Sequence, residues 1–183
     1  MTRYETALEE YESENEDGKH KTIYAYFGLA IYFGQILEET FSTMLWLDGI
    51  FKNKVKTNKE VREIIDAIEN SKKTMGKYIN DVKNSYQLSE KTIRDLETIL
   101  EKRNYLVHKY FKIEIQKSYS ELGRKEMLKY FCDFIEQSEN LDSTLTSYYK
   151  EYKLKMGFTD EKIEELVEQM KNDELKREKN NKA

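Results

Sequence analysis

Three side chains capable of acid–base and phosphate chemistry stand close together in the segment EKRNYLVHKYF, Glu101 to Phe111. Arg103 offers a planar fork of N–H donors matched to phosphate oxygens. His108 carries an imidazole, the side chain that ordinarily exchanges protons near neutral pH. Asn104 could orient that imidazole or hold a phosphate oxygen. On a helix Asn104 and His108, four apart, share a face, while His108 lies about 140° around from Arg103, a gap the long arginine can partly cover. Guanidinium, carboxamide and imidazole converge at one helix edge, a set suited to phosphodiester cleavage. The competing assignment is structural: His108 as an interhelical histidine and Arg103 as an ion pair, with Glu38 the candidate partner.

The elements that must position these groups are all helical. The chain has 183 residues, no proline and only seven glycines, and helix formers dominate it. Hydrophobic residues make up 38% and charged residues 36%, with fourteen tyrosines and eight phenylalanines, a composition suited to thin helical layers with exposed charged faces. A short helix is expected over 3–14, ended by the polar run Asn15–Lys21. A central helix follows from about Thr22 to Lys52, with Phe27, Ala30, Ile31, Gly34, Leu37, Phe41, Met44 and Leu45 at spacings of three and four. Gly28 and Gly34 within it invite close approach by a neighbouring helix. Gln35 and Glu38 interrupt its apolar pattern; Glu38 could be a supporting residue that steers Arg103, or equally a plain solvated position.

Thr57 and Glu60 form a capping-box signature for a helix reaching Val82, with a break or kink near Asn70–Ser71. Ser89 caps the next, whose stripe is Ile93, Leu96, Leu100, Arg103, Val107 and Tyr110. After a loop around Ser118–Gly123, a long helix carries Met127, Phe131, Phe134, Ile135, Leu141, Leu145, Tyr148 and Tyr152. Gly157 ends it, and Thr159 opens a last one. The final KNDELKREKNNKA is expected to be frayed or disordered. The fold class is therefore all-α: a four- or five-helix bundle over 22–155, preceded by an acidic segment at 1–21 and followed by a C-terminal helix and charged tail at 156–183.

Charge and cysteine content narrow the chemistry. The net charge is −4, yet residues 1–21 hold three basic and seven acidic side chains while 102–129 hold eight basic and three acidic. A local basic surface there could meet phosphates; equally, its lysines could solvate helix faces. Cys132 is the only cysteine, and His20 and His108 are the only histidines, so no disulfide and no cysteine- or histidine-rich metal site is expected, nor any cofactor. The longest apolar run, Ile23–Leu37, is too short to span a bilayer and the N-terminus is unlike a secretory signal; a cytoplasmic chain is expected.

The run RNYLVHKY, residues 103–110, resembles the signature of the HEPN family, an arginine followed by a polar residue with a histidine shortly after. Here four residues separate Arg103 from His108, and the polar residue is Asn104. The resemblance covers roughly residues 22–155. It implies a HEPN-like bundle that dimerises so that two motifs meet, and a metal-independent endoribonuclease of a toxin, phage-defence or RNA-processing system. Arg103, Asn104 and His108 would be its catalytic residues and RNA its substrate. The alternative is a non-catalytic HEPN-like dimer that binds a protein or nucleotide. His108-Lys109-Tyr110 further resembles HEPN toxins paired with a nucleotidyltransferase antitoxin. That likeness implies a transferase partner that places AMP on Tyr110; aromatic core is the other reading of Tyr110.

Overall fold

The computed structural model describes residues 1–181, and its fold is built from helices and short connections. Among these residues there are eight α-helices, α1 (Arg3–Ser13), α2 (Glu16–Lys52), α3 (Asn58–Glu69), α4 (Met75–Ser85), α5 (Glu90–His108), α6 (Tyr110–Glu114), α7 (Glu121–Lys155) and α8 (Asp160–Asn181), with a 3-10 turn at Ile115–Tyr119. Six of them, α2 to α7, cover the span 22–155 where four or five were expected, because the chain also breaks at Lys109, where the apolar pattern does not. None of the helices is long and apolar enough to cross a membrane. The chain divides into two compact units, residues 1–148 and the residues from Tyr149 onward.

Local chemistry explains most helix starts. Thr2 and Thr57 each close a capping box, with Glu5 and Glu60 respectively, so two orphan N–H groups are satisfied at each start. Asn15 accepts from the Gly18 amide and begins α2, six residues earlier than the apolar periodicity suggests. The run Asn15–Lys21 is therefore mostly helix, His20 within it. Ser89 caps α5 as expected, its side chain accepting from the Thr92 amide. The expected interruption near Asn70–Ser71 is a complete break: α3 ends at Glu69, and α4 restarts after Thr74.

The core of the first unit is the buried face of α2 (Ala30, Gly34, Leu37, Phe41, Met44) against α4, α5 and α7, with Ile79, Val82, Leu96, Ile99, Met127, Phe131 and Phe134 fully or almost fully buried. Gly34 lies in this core, where a Cβ would stand 3.5 Å from Cγ of Arg103 and 3.9 Å from Cζ of Phe134. Gly28 is different from the expectation. It is exposed, and a Cβ there would meet nothing within 4 Å.

The N-terminal helix α1 docks by charge as well as by burying Ala7 and Tyr11. Arg124, only 6% exposed, donates to the Tyr11 hydroxyl at 2.7 Å, the Ser118 carbonyl at 3.1 Å and Glu16 at 3.0 Å. Lys125 pairs with Glu12 and Lys19 with Glu121. The acidic start of the chain and part of its basic middle therefore neutralise each other.

In the second unit, Gly157 adopts φ +83°, the left-handed conformation that terminates helices, and the Phe158 amide closes back on the Lys153 carbonyl at 3.0 Å. The charged tail is helical as far as Asn181 instead of frayed; Lys182 and Ala183 lie outside the described residues.

Candidate functional site

Arg103 occupies the next-to-last turn of α5, on the helix stripe that faces the core. That stripe runs Thr92, Leu96, Ile99, Arg103, Leu106. It is offset from the expected set: Leu106 is buried and Val107 is 40% exposed. The aliphatic stem of Arg103 passes over Gly34 of α2, and its guanidinium reaches Glu38 one turn further along that helix, Nη2 to Oε1 2.5 Å. A second, longer bond runs from Nη1 to Oδ1 of Asn104 at 3.4 Å. The charged ends stay partly in water, with the two side chains 22% and 31% exposed, so the pair is worth on the order of 1 kcal/mol or less.

His108 is the last residue of α5 and is exposed. Its ring has no hydrogen-bond or ionic partner among the described residues. The helix is interrupted immediately after it, where Lys109 adopts φ −132°, ψ −24°. Arg103, Asn104 and His108 line one open groove of about 780 Å³, together with Glu38 and Lys109. The remaining wall comes from the α3–α4 connection and the first turn of α4, at Lys73, Thr74 and Gly76. Thr74, the residue before α4, makes no side-chain cap, so the orphan amides of the first turn sit at this wall. Lys73 is engaged by Asp81 at 2.7 Å, whereas Lys109 has no charged partner among the described residues. Sequence reading did not assign any of this wall to the site.

No protein-family model matches the chain, and no curated protein or solved structure matches it. The site therefore rests on its own geometry.

Tyr110 is not in the groove. The break at Lys109 turns it into the core, where it is 3% exposed among Tyr105, Phe111, Tyr130 and Phe131, its ring stacked on Tyr130 at 5.0 Å between centroids. Burial, then the nearby Glu114 carboxylate, pushes its phenol far above the usual tyrosine range. It lines a second, smaller cavity instead. The aromatic-core reading of Tyr110 describes its ring.

The basic side chains of 102–129, which could either meet phosphates or solvate helix faces, are mostly engaged by polar partners. Lys102 donates to Gln137, Lys117 pairs with Glu114 and Glu126, Lys129 with Asp133, and Arg103, Arg124 and Lys125 with the acids named above. Lys109 and Lys112 are the two of the eight without a polar partner among the described residues. Cys132 is buried, and burial lifts its thiol to about 12, so it is protonated and unreactive at neutral pH.

Proposed function

We propose that this chain is a metal-independent endoribonuclease of the HEPN type, acting in the cytoplasm as a toxin, phage-defence or RNA-processing component. The observation that supports the reading most is the shared groove: a guanidinium, a carboxamide and an unengaged imidazole line it along one helix edge. In the reaction, the ribose 2′-hydroxyl attacks the adjacent phosphorus while its proton passes to a base. The P–O5′ bond breaks, and the leaving oxygen takes a proton. His108 serves as the general base or acid, and Asn104 orients it. Arg103 binds the phosphorane charge, a contribution of a few kcal/mol, or roughly a hundredfold or more in rate. Its guanidinium shifts from Glu38 toward the phosphate in doing so.

One groove carries a single histidine, so one copy cannot supply both acid and base from imidazole. A two-fold dimer that pairs two motifs supplies a second His108 and a second Arg103, and the exposed Val107 beside the motif is an apolar contact available to such a pairing. The carboxylates around the Tyr110 hydroxyl oppose a phosphate there, which weighs against AMP transfer to it by a partner nucleotidyltransferase.

The second reading, a non-catalytic dimeric adaptor for a protein or nucleotide, is favoured by the Arg103–Glu38 ion pair, which gives the arginine a structural role. Incubation of wild type and His108→Ala with total RNA, tRNA included, separates the two. Cleavage by wild type and its loss in the variant are expected. An RNA pool left intact by wild-type dimers would favour the adaptor.

A further inference from the structure

The second cavity has a chemistry that the groove does not share. It is an open cleft of about 320 Å³ between α5, α6, the 3-10 turn and α7, a size at the lower end of small-molecule sites. Its walls are the rings of Tyr105, Tyr110 and Tyr130. Tyr105 donates to Glu114 at 2.8 Å, so its hydroxyl is satisfied. The Tyr110 hydroxyl has no hydrogen-bond partner among the described residues, although the residue is 97% buried, that is, 3% exposed. The ring is buried while this hydroxyl opens on the cavity, so its hydrogen-bond partner is water or whatever enters. Tyr130 presents a second hydroxyl without a hydrogen-bond partner to the same space.

The charges around these hydroxyls decide the sign of an occupant. Glu114, Glu126 and Asp133 face Lys117 and Lys129. Lys117 bridges Glu114 and Glu126, at 3.2 and 3.1 Å, and Lys129 holds Asp133 at 2.9 Å. Three carboxylates against two ammonium groups leave one negative charge uncompensated. The same field is felt by the phenols: Glu114 raises the pKa of Tyr105, Tyr110 and Tyr130, adding to the effect of burial. Aromatic faces attract cations in addition, and a phenol oxygen accepts a hydrogen bond from an ammonium N–H.

We infer that this tyrosine-lined cavity is a binding site for a small organic monocation, a protonated amine whose N–H groups donate to the Tyr110 and Tyr130 hydroxyls. The inference does not depend on the groove being a nuclease site, since it uses no residue assigned to that reaction. Titration of the intact chain with three probes of equal size tests it: butylammonium, neutral 1-butanol and anionic butyrate, followed by calorimetry and by NMR of the tyrosine ring resonances. Butylammonium should bind saturably and shift Tyr110 and Tyr130, whereas the other two should bind at least tenfold more weakly. Tyr110→Phe and Glu114→Gln should each weaken butylammonium severalfold while helical circular dichroism is retained. Absence of saturable binding, equal binding of all three probes, or unchanged affinity in both variants would overturn the assignment.

Discussion

Replacing Arg124 with methionine removes the charged anchor of α1 while keeping much of its volume. The side chain is almost wholly buried and donates to Tyr11, Ser118, Glu16 and Glu121. The bonds to Glu16 and Glu121 end on exposed carboxylates, 69% and 46% accessible, and these add little. The bonds to the Tyr11 hydroxyl and the Ser118 carbonyl are the buried ones, and hydrogen bonds from a charged donor contribute about 1.5 kcal/mol or more each, for a loss of about 3 kcal/mol. For a unit of this size that corresponds to a fall in Tm of about 6–12 °C. Thermal denaturation by circular dichroism measures it, and limited proteolysis should show α1 cleaved first. Because the geometry is buried, the loss should persist in high salt, which screens exposed pairs only. Tyr11→Phe combined with Arg124→Met should cost less than the sum of the single changes. A fall in Tm below about 2 °C, or a wild type that loses the same stability in salt alone, would refute the reasoning.

Four further outcomes are expected. Burial and hydrogen bonds to Glu10 and Glu114 raise the phenols of Tyr26 and Tyr105 to about 12, and Tyr110 is raised further. Their neutral forms stabilise the fold fully below the unfolded pKa near 10, and that stability is lost as pH climbs through the folded values. Alkaline unfolding should therefore begin above about pH 10 and coincide with tyrosine ionisation at 295 nm; complete ionisation with unchanged helicity would contradict this. Gly123→Ala should destabilise by about 2 kcal/mol, since its Cβ would fall 2.6 Å from the Lys117 Cα and even closer to that residue's carbonyl oxygen. Gly28→Ala, in open space, should stabilise by about 0.5–1 kcal/mol, and urea titration measures both. Under the proposed reaction, Glu38→Gln should lower KM for RNA severalfold, because the carboxylate no longer competes with phosphate for Arg103; an unchanged or raised KM would count against that competition.

The sequence was most legible where short-range chemistry sets structure. The Thr57–Glu60 capping box, the Ser89 cap and the Gly157 terminator are local signals found where the pattern places them, and the α2 stripe is buried except at Phe27 and Ile31, which are half-buried. Four features were not legible. The polar first turns of α2 bury little apolar surface, so periodicity gave no sign of a helix that its Asn15 cap begins. At Lys109 the apolar spacing continues across a backbone break, which sends Tyr110 away from the edge that holds His108. The charge division between 1–21 and 102–129 left a phosphate-binding surface and solvated helix faces equally open because sequence carries no distances, and Arg124 is in fact buried against Tyr11 and Glu16. Within the site, Arg103 and Glu38 are joined as the interrupted apolar pattern of α2 suggested. The wall at Lys73–Gly76 had no signal, since only the fold brings it to α5.

The central claim is that RNA is cut by side chains acting on the substrate's own 2′-hydroxyl. Its most direct measurement uses an oligoribonucleotide containing a mapped cleavage site, incubated in excess EDTA with the purified protein. The product ends are then identified by mass. A 2′,3′-cyclic phosphate and a 5′-hydroxyl are expected, with cleavage abolished by a single 2′-deoxy substitution 5′ to the cut and by His108→Ala or Arg103→Ala in folded protein. Cleavage that EDTA abolishes, that tolerates the 2′-deoxy nucleotide, or that His108→Ala leaves undiminished would contradict the account.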